Sequence, residues 1–325
     1  MSRKSGVSMV SRMFHHGEFS DLALLLKHKL QQGRILSLCI PTLNEESTIG
    51  ALICHLRKTL MEAIPILDEI LIVDSGSCDR TREEALAAGA SVFLASEILP
   101  DLPSLPGKGT NLWKSLFVAK GDLLCFLDGD IQNMHPRFVY GLVGPLLMFP
   151  EIEYVKAFYN RPILTDKDKD PRPVGGGRVT EILVRPLFSI FFPNLSEIIQ
   201  PLSGEYAAKR SLLENLSFPV GYGVETALLL DIYHKVGIGK IAQVDLGERL
   251  HRHQDILALG AMAFSILQTF LRRIPKFKNF PKNSLRQFYL GTDGYHFLET
   301  DLSNKEYPPM LLVKACRRID TLPFD

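Results

Sequence analysis

The sequence has 325 residues, 46% hydrophobic and 22% charged, which is enough to bury a sizeable core and too apolar for a disordered chain. Lys and Arg number 37 against 36 Asp and Glu, a formal charge of +1. No global field therefore draws nucleic acid or an anionic membrane, and any anion site has to be local. The five cysteines, Cys39, Cys54, Cys78, Cys125 and Cys316, form no CxxC pair and no metal-ligand spacing. Their number and scatter point to a reducing compartment. The basic N-terminus has no apolar core long enough for a signal peptide. The most apolar later stretches, 182–192 and 256–271, are broken by Arg185 and Pro186 and by Gln268. The second also falls short of the ~18 residues a spanning helix needs. Both read as buried helices, with a cytoplasmic location and no membrane partner expected.

In chain order, a helix is predicted over 20–32, with Ser20 or Asp21 as its cap, an apolar face of Leu22, Leu25, Leu26 and Leu30, and Gly33 as its stop. An apolar strand follows at 35–40, then a helix over 47–60, a strand at 69–73, a helix over 81–88 and a strand at 91–94. A Pro-rich loop (100–107) leads to a helix over 110–119 and a fourth strand at 122–127. Strands apolar on both faces and alternating with helices imply an α/β chain with a mostly parallel, Rossmann-like sheet covered by helices on both faces. Such sheets bind ligands at the carboxyl ends of their strands. Beyond Asp130 the pattern loosens. A strand is expected at 154–159, a charged loop at 167–173, and a helix from near Thr180. The division read from this is a helical N-terminal segment (1–33), a first half (34–160) and a second half (161–275) of one domain, and a tail (276–325) without assigned structure or role.

The chemistry collects at strand ends. Pro41-Thr42-Leu43-Asn44-Glu45-Glu46 follows the first strand, where acidic and amide groups can meet a nucleotide's base and ribose. Asn44 and Glu46 could equally cap the next helix. Asp74-Ser75-Gly76-Ser77 ends the second strand, and two such turns after consecutive parallel strands build one crevice. The sharpest signal is Asp128-Gly129-Asp130 at the end of the fourth strand. Two carboxylates so close are costly without a compensating charge, and a divalent cation bridging to a diphosphate fits. Lys108, in Pro106-Gly107-Lys108-Gly109, could reach phosphates, although Gly109 stands where a P-loop needs Ser or Thr. Gly237-x-Gly239-x-x-Ala242 does not open the first βα unit and is set aside as a dinucleotide fingerprint. Gly175-Gly176-Gly177-Arg178-Val179-Thr180 combines a glycine run, a guanidinium fork and a helix N-terminus, which suits an anion. Glu205 and Glu225 follow glycines and are possible acceptors from sugar hydroxyls.

These motifs, together with QPLSGEYA (200–207), GYGVE (221–225) and LGERLHRH (246–253), stand in one order and spacing that resembles the glucosyl-3-phosphoglycerate synthases. That family of retaining glycosyltransferases includes related mannosyl-3-phosphoglycerate synthases. The resemblance runs from about Phe14 to Arg272 and leaves out the tail after Ile274. It implies a GT-A nucleotide-diphospho-sugar transferase fold and transfer of glucose from UDP-glucose to the 2-hydroxyl of D-3-phosphoglycerate, in a homodimer. It implies that Pro41, Leu43, Glu45, Ser75, Lys108 and Asp128 bind the donor and that Asp130 and His251 hold Mg²⁺ or Mn²⁺. Gly177, Arg178, Thr180, Tyr222, Arg249 and His253 would form the acceptor pocket. Glu225 would hold glucose hydroxyls, with the Leu202 carbonyl near the anomeric centre. Gly129 stands where a serine is common, and His253 where relatives carry an asparagine. Rival readings are GDP-mannose as donor, polyprenyl phosphate as acceptor, and a catalytically silent sugar-nucleotide-binding regulator. The last is opposed by the intact Asp128, Asp130, Lys108, Arg178 and His251.

Overall fold

The computed structural model describes residues 11–162, 177–250, 255–277, 283–302 and 305–320. Its centre is an eight-stranded sheet. In chain order the strands are β1 (Arg12–His15), β2 (Leu36–Thr42), β3 (Glu69–Asp74), β4 (Ser91–Leu94), β5 (Leu123–Phe126), β6 (Tyr154–Asn160), β7 (Tyr206–Lys209) and, later, β9 (Ile241–Glu248). The spatial order is β1-β9-β6-β7-β5-β2-β3-β4, and β7 alone runs antiparallel to both its neighbours. Between the strands lie α1 (Leu22–Gln31), α2 (Ile49–Arg57), α3 (Thr81–Ala87), α4 (Lys108–Val118), α5 (Arg137–Met148), α6 (Arg185–Phe191), α7 (Arg210–Leu213) and α8 (Val224–Val236).

Side chains on each strand alternate between two cores, as a period of two requires. Leu38 and Ile40 of β2, Ile70 and Ile72 of β3, and Leu123 and Cys125 of β5 face a layer built with α1, α2, α3 and α5. Cys39, Leu71, Val73, Leu124 and Phe126 face the opposite layer, filled by Trp113, Leu228, Phe188 and Phe270. Helices therefore cover both faces, as the apolar strands required.

The differences from the sequence reading have local causes. The segment 1–33 is not purely helical, because β1 pairs in parallel with β9. Asp21 is the residue that caps α1, accepting from Leu24 N–H at 2.9 Å. The helix expected from near Thr180 is present as a π-helical stretch, Thr180–Val184, that runs into α6. The tail is structured where described. It follows α9 (Ile256–Arg272), which Asp255 caps through Leu257 and Ala258 N–H. It comprises a hairpin of β10 (Ser284–Gly291) and β11 (Gly294–Asp301), a short β12 (Glu306–Tyr307) and α10 (Met310–Asp320). β12 pairs antiparallel with β8 (Phe218–Pro219).

Candidate active site

The first two loops at the carboxyl end of the sheet are tied to each other before they meet any ligand. Asp74, fully buried, accepts from Gly76 and Ser77 N–H and from the hydroxyls of Thr42 and Ser77. It shapes the 74–77 turn and leaves Ser75 to face the crevice. Asn44 sits at φ 58, its side-chain oxygen accepting from Cys78 N–H at 3.0 Å, and Glu46 accepts from Arg80 N–H at 3.0 Å. So neither residue caps α2, and both bind the neighbouring loop. Asn111 of α4 donates to Val73 O and Ser75 Oγ, each at 2.8 Å.

The strand end of β5 carries the charge. Lys108, the first residue of α4, lies 2.5 Å from Asp128 Oδ1 and 2.8 Å from Glu225 Oε1. Arg249, just past β9, lies 3.2 Å from Asp128 Oδ2, 2.6 Å from Asp130 Oδ1 and 3.3 Å from Glu205 Oε1. It also donates to Tyr159 Oη at 3.1 Å, while Tyr159 donates to Glu205 Oε2. Two cations thus bind four carboxylates in one chain that spans β5, β7, α4, α8 and β9. Burial alone would raise the Asp128 carboxyl, but Lys108 and Arg249 outweigh it and hold the group well below the usual carboxylate range. Burial raises Glu205 in spite of Arg249, and pushes Tyr159 up to about 12.

A cavity of about 630 Å³ opens above this chain, lined by Pro41, Leu43, Ser75, Lys108, Asp128 and Tyr222 among others. Six of the residues expected in the site therefore line one cavity. Glu225 and Arg249 join it through Lys108 and Asp128, and Asp130 through Arg249. Glu45 approaches from the side, its Cγ 3.3 Å from where a Cβ on Gly129 would stand. Leu202 lies in the turn before β7. A Cβ on Gly204 of that turn would come within 2.3 Å of Asp128 Oδ2, so the backbone passes directly over the carboxylate. Gly177, Arg178 and Thr180 are not among the residues lining this cavity. His251 and His253 lie outside the described residues.

Carboxylate oxygens at a strand end are the donors that Mg²⁺ and Mn²⁺ take, usually alongside substrate phosphate oxygens. Asp130 fits that part, being the more exposed of the pair at 31% against 23% for Asp128, whose two oxygens are both engaged. Among the described residues there is no cluster of three or more His, Cys, Asp and Glu that would cage a metal unaided.

Three residues of the site escaped the sequence reading. Asn111 follows the Pro106–Gly109 motif by two positions, which its amide role could have suggested. Tyr159 ends an expected strand with nothing to mark its hydroxyl. Lys156 is a fully buried lysine within an apolar strand, and that mismatch was the available signal.

The profile of the family described as "Glycosyl transferase family 2" matches residues 37–147. A glucosyl-3-phosphoglycerate synthase of Petrotoga mobilis is 47% identical over 316 residues, covering 94% of this chain and 95% of that protein. The chain belongs to the glucosyl-3-phosphoglycerate synthase family. It is an enzyme, a glycosyltransferase of GT-A fold. The crystal structure of the family member from Mycobacterium tuberculosis, in complex with Mn²⁺, UDP and phosphoglyceric acid, superposes with a TM-score of 0.82 at 40% identity. That match covers 93% of this chain and 99% of the other. Mannosyl-3-phosphoglycerate synthase from Rubrobacter xylanophilus superposes with a TM-score of 0.84 at 34% identity, over 93% and 96%. A match over 94% of the chain reaches into the residues after Ile274, so the family likeness extends further along the tail than the motifs alone indicated.

Proposed function

We propose that this glycosyltransferase moves the glucosyl group of UDP-glucose to the 2-hydroxyl of D-3-phosphoglycerate, with retention at the anomeric carbon, giving glucosyl-3-phosphoglycerate and UDP. The observation that carries the reading is a cavity lined by Pro41, Leu43, Ser75, Lys108 and Asp128, with Arg249 joined to it through Asp128. Pro41, Leu43, Glu45 and Ser75 would take the uracil and ribose, and Lys108 would face the diphosphate. Asp130 and His251 would hold Mg²⁺ or Mn²⁺, which when bound neutralises charge on the leaving diphosphate. Glu225, fixed by Lys108, would accept hydrogen bonds from the glucose hydroxyls. The 202–204 turn would set the face of the anomeric carbon from which the acceptor enters. Gly177, Arg178, Thr180, Tyr222, Arg249 and His253 would receive 3-phosphoglycerate.

The identities support glucose over mannose, at 47% and 40% for glucosyl enzymes against 34% for the mannosyl one. Purified protein offered 3-phosphoglycerate with UDP-glucose, GDP-glucose and GDP-mannose in parallel should consume UDP-glucose fastest. Preference for GDP-mannose would overturn the donor, and indifference to 3-phosphoglycerate would overturn the acceptor.

Two further readings belong with this one. All five cysteines are unpaired, and no described helix is long and apolar enough to cross a membrane, which supports a cytoplasmic enzyme. The β10–β11 hairpin exposes Phe288, Tyr289, Leu290, Tyr295, Phe297 and Leu298. A two-stranded hairpin with that much exposed apolar surface is marginal by itself, which supports a homodimer with a second copy against it.

A further inference from the structure

The tail reaches the cavity. Asp301, Leu302 and Lys305 line it together with Pro41, Ser75 and with Leu105, Pro106 and Gly107 of the loop that leads into Lys108. That loop is held by two paired segments. The carbonyl of Val220 accepts from Gly109 N–H at 2.9 Å, and Gly107 and Gly109 have no room for a Cβ against Val220 O and Pro219 O. The second segment brings Tyr307. Its buried hydroxyl accepts from Leu105 N–H at 3.1 Å and donates to Pro103 O at 2.6 Å.

The tyrosine is itself fixed. Its ring stacks on Trp113 of α4, with centroids 4.3 Å apart and planes 13° from parallel. Trp113 Nε1 donates to Pro308 O at 2.8 Å, and Val220 N–H donates to Lys305 O at 3.0 Å. Arg273 pairs with both Asp231 and Glu306, tying the same segment to α8.

Packing of a tail needs apolar contact only. Here the hydrogen bonds from Tyr307 end on the backbone of a cavity-lining loop, and its stacking partner lies five residues past Lys108 on the same helix. We infer that residues 305–308 are part of the donor site, with Tyr307 a positioning residue that sets the loop before Lys108 and thereby the height of its ammonium over the diphosphate. This rests on the donor reading for Lys108 and extends it to a segment outside the matched family profile, which ends at residue 147.

Tyr307→Phe keeps the stack and removes both hydrogen bonds to the loop. It should raise KM for UDP-glucose about tenfold, the scale of one or two lost hydrogen bonds. KM for 3-phosphoglycerate should be unchanged and kcat should stay within about twofold. Trp113→Phe, which frees Pro308 O but can still stack, should move the same constant in the same direction. Calorimetric titration with UDP and Mn²⁺, and in parallel with GDP and Mn²⁺, reads affinity without turnover. Weaker binding by both variants of whichever nucleotide the wild type holds supports the latch. Wild-type choice of GDP would overturn the donor assignment and leave that comparison standing. If both variants melt at lower temperature yet bind the nucleotide as the wild type does, the tail only packs and the inference is wrong.

Discussion

Arg249 joins Asp128, Asp130, Glu205 and Tyr159 with one planar side chain, and burial has left it almost no solvent. Removing a partner from a buried ion network leaves the others uncompensated, at about 3–5 kcal/mol. Arg249→Gln should therefore lose stability on that scale in urea titration, and lose turnover with it. Asp130 poses a different test. Asn in its place can still accept from Arg249 but brings no charge to a cation. Asp130→Asn should keep the fold by circular dichroism and abolish turnover, and a chelator should do the same to the wild type until Mg²⁺ or Mn²⁺ is restored. Full activity without metal would exclude the metal role. Arg178 is proposed to meet the acceptor. A charge-assisted phosphate contact is worth about 1.5–3 kcal/mol, one to two decades in kcat/KM for 3-phosphoglycerate. Arg178→Ala should lose that much while calorimetric binding of UDP-glucose is unchanged, and the reverse pattern would move Arg178 to the donor.

Between residue and fold lies the 202–205 turn, which carries Gly204 over Asp128 and delivers Glu205 to Arg249. It is held by Lys156 of β6, whose ammonium donates to Ser203 O at 2.7 Å and lies beside the paired rings of Tyr154 and Tyr206. Burial lowers the lysine to about 8, against the pull of Glu225, Glu205 and Asp128 and with the push of Lys108. The unfolded chain keeps that proton up to about pH 10.5, so between 8 and 10.5 it binds more protons than the folded one. The Lys156 contribution to stability therefore rises with pH across this window, by about 3 kcal/mol at its end. The stability of the wild type relative to Lys156→Met, measured by urea titration from pH 7 to 10.5, should climb in that direction, and a flat difference would show that the ammonium is solvated. Gly204→Ala should displace the same turn. A shift near 1 Å at a reacting centre can cost about a hundredfold in rate.

What could be read from the residues at this level follows the range of the interaction. β2 to β5 are apolar on both faces with a helix after each, a pattern complete within thirty residues. Asp128 and Asp130 announced themselves because two close carboxylates need a partner. β1 did not, since Arg12–His15 is four residues long with no apolar run and acquires its strand only from β9. The antiparallel run of β7 is likewise set by neighbours distant in sequence. The outward-facing alternation of the hairpin gave no core to predict, and Lys156 reads as an intruder until its acceptor is known.

For the molecule as a whole, the hairpin makes a claim about assembly. Phe288→Glu with Tyr295→Glu should convert a dimer to a monomer in sedimentation velocity, with the melting temperature of the sheet domain little changed. A wild type that sediments as a monomer would end that proposal.

The strand order also has a consequence in time. Gln243 of β9 bonds Ser11 across 232 positions, and β5 waits for β7, pairing Leu123 with Lys209. At the ribosome's pace of about 5–20 residues per second, β1 is extruded roughly 10–50 s before its partner exists. During synthesis the nascent half-sheet β2–β5 presents an unpaired β5 edge to its surroundings, and contacts of such long range close slowly even in the finished chain. Release of this protein from synthesis in good yield should therefore depend on a holding chaperone, and a nascent chain arrested after residue 162 should aggregate where the full chain does not.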